Sequence, residues 1–172
     1  MTGSNTTKKS GLKMVTLPTK SLFSPSEKIT VFDDKLKKLA GQMGLAMYEY
    51  LGVGLAAPQI GENIKLIVVT DNNGGYKAYV NPRITYYSRE TVPSEEGCLS
   101  VPEVYGVIRR AAKIHLTYHD LDGKKQKTKA KGMEAIILQH ECDHIDGKLF
   151  INHRPTITHG EEILINLKAG KK

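Results

Sequence analysis

The chain has 172 residues, 40% of them hydrophobic, and its 25 Lys and Arg against 18 Asp and Glu give a formal charge of +7. That length and composition permit one domain with its own core, and the charge points to an anionic neighbour. With only Cys98 and Cys142 and no secretory signal in view, a disulfide-built secreted module is excluded, and the chain reads as cytoplasmic. Residues 1–12 are polar and aperiodic, which predicts a flexible tail ahead of a single domain over 13–172. From Asp33 or Asp34, the residues Leu36, Leu39, Ala40, Met43, Met47 and Tyr50 recur at helical spacing, with Gly52 as the stop. Strands are predicted over 64–70 and 76–80, joined as a hairpin through the turn at 71–75. Two more follow at 104–109 and 113–118. After the turn at Asp120-Leu121-Asp122-Gly123 the return strand, 126–130, is polar enough for a sheet edge. A long helix is predicted from about 132 to 145, and 161–168 offers at most two further turns.

The long helix carries His140-Glu141-Cys142-Asp143-His144. Positions four apart on a helix lie nearly in register, so two imidazoles can meet one divalent ion while Glu141 stands beside it as a base. The competing reading is two histidines on a solvated stripe. Met133, Ile136 and Ile137 on the histidine face, and Ala135, Leu138, Cys142 and Ile145 elsewhere, make the helix apolar nearly all round, so it is buried and its histidines need partners. The fold expected is α+β: antiparallel sheets packed around a central metal-binding helix, with one N-terminal amphipathic helix.

Two histidines leave the site incomplete. The metzincin extension fails because Phe150 stands where its third histidine belongs, although Gly147 is in place. A thermolysin-like glutamate from Glu161 or Glu162 leaves only 28 residues after His144 for a second lobe. The leading third ligand is Cys98, in Glu95-Glu96-Gly97-Cys98-Leu99-Ser100, where a glycine lets the backbone approach closely. Taken alone, that cysteine reads as a small core residue.

In order along the chain, Gly52-Val53-Gly54-Leu55-Ala56-Ala57-Pro58-Gln59, Glu96-Gly97-Cys98-Leu99-Ser100 and His140-Glu141-Cys142-Asp143-His144 resemble the three motifs of the peptide deformylase family, and the resemblance runs from about Val15 to Phe150. It implies a metal-dependent hydrolase that removes the formyl group from formyl-methionyl nascent peptides and releases formate. Iron(II) is the metal it implies, with zinc, nickel or cobalt as substitutes. Cys98, His140 and His144 would hold the metal, leaving a fourth position for water whose pKa falls on coordination. Glu141 would take the water proton and pass it to the departing amine. By the same resemblance the amide of Gln59 and the backbone N–H of Leu99 face the developing oxyanion, each such donor being worth about 3 to 4 kcal/mol. By itself Gln59 is an ordinary loop amide, and Gly52 and Gly54 say only "turn". The Gly54 N–H carries over as a substrate contact. An apolar methionine pocket needs apolar walls, and Val53, Met133, Ile136 and Ile137 can supply them, Ile137 first; each is equally acceptable as plain core.

Glu96 lies two residues from a thiolate and calls for a cation, which Arg110 or Arg109 could supply; Arg110 is the candidate put forward, weighed against two exposed charges. Tyr105 stands where several relatives carry a substrate-contacting arginine, which puts that contact in doubt. Many bacterial relatives continue as a long helix that serves in some as a ribosome contact, and 161–168 is too short for it. Phage and organellar relatives are similarly short, so an organellar or phage-encoded origin stays open. The densest basic patch, Lys124 to Lys131, is a candidate contact for ribosomal RNA, against a solvated hairpin whose lysines blunt an edge. Neither a membrane nor DNA is expected as partner. His115, His119, His153 and His159 read as bystanders and Cys142 as core. The rival from another class is a basic RNA-binding module with a structural Cys-His-His metal site, which would need a fourth protein ligand and leaves Glu141 idle.

Overall fold

A computed structural model of the protein describes residues 9–71 and 73–169. Eight strands, β1 (Gly54–Ala56), β2 (Leu66–Thr70), β3 (Tyr76–Tyr87), β4 (Thr91–Cys98), β5 (Val101–Ala111), β6 (Lys113–His119), β7 (Lys125–Lys131) and β8 (Thr156–His159), combine with three helices, α1 (Asp34–Glu49), α2 (Gly132–Ile145) and α3 (Glu161–Lys168). The strands form two antiparallel sheets, one in the order β1-β2-β3-β6-β7 and one in the order β4-β5-β8. This is the α+β arrangement expected.

α1 starts where the sequence places it, because the Asp33 carboxylate accepts the Leu36 N–H at 3.0 Å and so satisfies an otherwise orphaned amide. Its buried stripe, Leu36, Ala40, Met43 and Met47, packs on Leu55, Leu66, Val68 and Val80. Gly44 within it costs about 1 kcal/mol of helix propensity. The reason is packing: a Cβ there would collide with the Tyr76 ring. β2 is an unbroken apolar run because both its faces are buried, Leu66 and Val68 toward α1, Ile67 and Val69 toward α2.

α2 keeps its predicted limits and packs on the other face of the larger sheet, where Ala135, Leu138, Cys142 and Ile145 meet Ile67, Tyr79, Ile114, Leu116 and Tyr118. The small sheet closes over its own cluster of Val101, Val104, Ile108, Leu149, Phe150 and Leu164. Gln139 ties this sheet to α2, accepting the Ala111 N–H and donating to the Ala111 carbonyl, both at 3.0 Å.

The strands differ from expectation in identifiable ways. β1, β4 and β8 were not read from the sequence, and β3 runs on to Tyr87 past Asn81-Pro82. Asn81 adopts φ 51° inside a register shift, and its side chain bonds both the N–H and the carbonyl of Ile29 at 2.8 Å, so the chain passes a bulge and stays in the sheet. Of the tail expected over 1–12, residues 1–8 lie outside the described residues. Ser10 beyond them is buried and its N–H donates to the Glu49 carboxylate at 2.8 Å.

Candidate active site

The site forms where the end of β4, the 3₁₀ turn Ala57–Ile60 after β1, and the middle of α2 converge. Cys98 is the last residue of β4, and Leu99 and Ser100 make the tight turn into β5 beside a register shift at Gly97 and Cys98. Gly97 is required there: a Cβ would lie 2.6 Å from the Tyr105 ring, which covers the strand next to Cys98. One turn apart on α2, His140 and His144 bring their Nε2 atoms to 3.3 Å, and the Cys98 Sγ lies 3.3 Å from the His144 Nε2. All three donor atoms fall within 4.8 Å of one another, and no fourth Asp, Glu, His or Cys joins the group among the described residues.

These separations suit a metal. Metal–nitrogen bonds near 2.1 Å in tetrahedral geometry put ligand atoms about 3.4 Å apart. Without an ion, lone pairs of two imidazoles and a sulfur would oppose one another unless a proton lay between them. Burial disfavours the charged form of both histidines, yet the Cys98 sulfur and the Glu96 carboxylate hold His140 well above the ordinary histidine value, while burial and His140 hold His144 well below it. The donor set fits a metal.

The orientation of His140 is fixed from behind. Its Nδ1 bonds the Glu96 carboxylate at 2.8 Å, which directs Nε2 at the group. Glu96 is gripped in turn by Arg110, whose Nε and Nη2 donate to its two oxygens at 2.9 Å each, so the pairing expected from sequence exists. Burial works against the Glu96 charge, but the bonds from Arg110 and His140 prevail and hold its pKa down at about 2. Arg110 also donates through Nη1 to Asp143 at 2.6 Å, and His153 contacts the same Asp143 oxygen at 2.7 Å. Asp143 and His153 were missed in the sequence reading, His153 having passed for a bystander.

Glu141 is nearly fully buried, and one carboxylate oxygen has no hydrogen-bond partner. Burial pushes its pKa up to about 7. It rests against Gly54, where a Cβ would come within 2.8 Å of its Cγ and Cδ; the position is glycine because the carboxylate needs that space. Gln59 is oriented by the Ala56 N–H, which donates to its Oε1 at 2.9 Å, so Nε2 faces the site, 3.6 Å from the Cys98 Sγ and 3.4 Å from the Ser100 Oγ. Buried Ser100, also missed, thus helps to fix the amide.

A cleft of about 630 Å³ opens onto these groups, within the usual range for small-ligand sites. Every residue singled out for the substrate, Val53, Gly54, Met133, Ile136 and Ile137, lines it, as do Gln59, Leu99 and Glu141. Met133 and Val53 are exposed at its rim, whereas Ile137 is almost buried and also packs into the core. Tyr105 lines the small-sheet wall. Cys142 faces away, into the core under the larger sheet, and burial raises its thiol pKa beyond any physiological pH.

A mixed fold with a helix-borne His-Glu-x-x-His, a sulfur as third donor and an open cleft defines a metal-dependent amide hydrolase. The family model of polypeptide deformylases matches residues 12–159. A peptide deformylase from Desulfotalea psychrophila is 43% identical over 147 residues, which cover 83% of this chain and 86% of its own. Among solved structures, a peptide deformylase from Synechococcus elongatus in complex with actinonin has a TM-score of 0.81 at 35% identity, covering 86% of this chain and 82% of that one. The Thermotoga maritima enzyme gives 0.80 at 37%, covering 83% and 96%. The chain belongs to the polypeptide deformylase family. A separate RNA-binding module with a structural metal site finds no support in these relatives.

Proposed function

We propose that the protein removes the N-terminal formyl group from formyl-methionyl peptides, using a divalent metal held by Cys98, His140 and His144. The observation that carries this reading is the buried Glu141 carboxylate, with no hydrogen-bond partner among the described residues, beside one sulfur and two imidazole donors that converge at the floor of an open cleft. Iron(II) is the metal the family resemblance favours, with zinc, nickel or cobalt as substitutes. When bound, such an ion polarises the formyl oxygen and makes hydroxide available near neutral pH. The formyl group enters between Gln59 and the β4–β5 turn, where the Gln59 Nε2 and the Leu99 N–H stabilise charge growing on its oxygen. Glu141 takes a proton from the attacking water and returns it to the peptide nitrogen as the carbon–nitrogen bond breaks, giving formate and a free amino terminus. Burial favours the protonated form of Glu141, which suits the half of that exchange in which it carries the proton. Gly54 offers its N–H to the substrate backbone. The methionine side chain lies against Val53, Met133, Ile136 and Ile137.

Residues 13–172 would form a single catalytic domain, working in a cytoplasmic compartment that keeps Cys98 and Cys142 reduced. No described helix is long and apolar enough to cross a membrane. Contact with the ribosome through the basic surface belongs to the same reading. The test is formate release from formyl-Met-Ala-Ser by protein purified without oxygen and assayed for metal, with the parent and Glu141→Gln. Parent turnover with a loss of at least about a hundredfold in the variant, at equal metal content, is expected. A fully active Glu141→Gln would remove the assigned base.

A further inference from the structure

α1 covers one face of the larger sheet only over β1, β2 and the start of β3, while α2 covers the opposite face. On the α1 side, Phe32 packs on His119 at the end of β6, while the rest of β3, β6 and β7 stay uncovered, and strand register identifies what they present. Arg83 pairs with Thr117 and Tyr86 with His115. Lys125, Lys127, Lys129 and Lys131 pair with His119, Thr117, His115 and Lys113. Paired residues share a face, and the residues between them, Ile114, Leu116, Tyr118 and Ala130, are buried toward α2.

One open face therefore bears six cations, Arg83, Lys113, Lys125, Lys127, Lys129 and Lys131, around the Tyr86 and His115 rings, whose centroids are 4.6 Å apart. No Asp or Glu occurs in 83–87, Lys113–His119 or Lys125–Lys131, and none of the six cations has an ion-pair partner among the described residues. Setting them aside leaves 19 basic against 18 acidic residues, so nearly all of the +7 charge sits here. Protection of an edge accounts for lysines on β7. It does not account for Lys113 set directly opposite Lys131, since like charges across a ladder destabilise the sheet, or for Arg83, which lies on the interior strand β3. Among the described residues the chain supplies no counter-charge for this face, which an anionic partner would provide.

We propose that this face docks the phosphate backbone of RNA, with Tyr86 and His115 offering a surface on which a base stacks. An anionic membrane fits less well, because no aliphatic side chain projects from the face to insert among lipids. None of these residues lines the active-site cleft, so RNA and a peptide can be held together. The proposal deepens the ribosome contact proposed above and rests on it only for the identity of the RNA.

The test is binding of the whole protein to a poly(U) oligonucleotide of about 20 residues as salt is raised. Neutralising four to six phosphates gives a slope of log K against log salt of about −3 to −4. Lys127→Gln with Lys129→Gln should flatten it by about 1.4 and weaken binding about twentyfold at 0.1 M salt, as two lost contacts imply. Formate release from the soluble peptide should stay at the parent level. Failure of the parent to release formate would overturn the enzymatic reading and leave the RNA result standing. Absence of poly(U) binding at about 50 mM salt, a double variant with parent affinity and slope, or equally tight binding to vesicles containing phosphatidylglycerol would each overturn the RNA site.

Discussion

Arg110→Ala removes the guanidinium that pairs with two carboxylates, Glu96 and Asp143, behind the cluster of Cys98, His140 and His144. Arg110 and Glu96 are both less than one-tenth exposed, and the guanidinium makes three charge-assisted bonds, two to Glu96 and one to Asp143. Holding Glu96 at about 2 instead of its ordinary 4.5 corresponds to about 3 kcal/mol in favour of the ionised form. That shift is shared between Arg110 and His140. Breaking a buried pair from one side costs about 3 to 5 kcal/mol, so a loss of about 3 kcal/mol is expected for Arg110→Ala. Because the Glu96 pKa is depressed in the folded state, its contribution is fully present above 4.5 and is lost as pH falls toward 2. Urea unfolding at pH 7 and again near pH 4 should therefore show a less stable variant whose stability falls less steeply with acid. With Glu96 no longer anchored, His140 loses its orientation, and metal affinity measured against a chelator should drop about ten- to a hundredfold. Arg110→Lys keeps the charge without the fork and should fall between. If Arg110→Ala unfolds within about 1 kcal/mol of the parent and holds its metal equally well, the buried network does not support the site.

Gly54→Ala places a methyl group against the Glu141 carboxylate, so turnover should fall at least about tenfold at parent metal content. Parent-level formate release would show that Glu141 need not lie there. Ile137→Trp should depress turnover of formyl-Met peptides while the protein folds and binds metal, since the residue lines the cleft beside His140. Unchanged kinetics would remove it from the methionine pocket. Stripping the metal with a chelator should lower the thermal midpoint reversibly, with a loss of about 4 kcal/mol of stability if metal had been present at a thousandfold over its dissociation constant. A midpoint insensitive to chelator and to added metal would mean that Cys98, His140 and His144 do not bind one.

What was legible in the sequence was local. α2 and its two histidines follow from one helical period, and the hairpin of β2 and β3 from two apolar runs around a glycine-rich turn. β4 was hidden because Thr91-Val92-Pro93-Ser94-Glu95-Glu96 alternates with little apolar content, and an edge strand packed on one side tolerates both the proline and the charges. That strand delivers Cys98, so the third donor could be reached only by eliminating alternatives and by the order of motifs. The residues given no role from the sequence, Gln139, Asp143 and His153, satisfy partners set by topology. One signal was available for Gln139: a polar residue on a helix apolar nearly all round must be buried, and a buried amide must be paired. The partner itself, the end of β5, could not be named without the fold. Glu141 shows the same limit from the other side, because its place beside the histidines follows from helical spacing, while the space that admits its carboxylate depends on a glycine 87 positions earlier, on a strand too short to read.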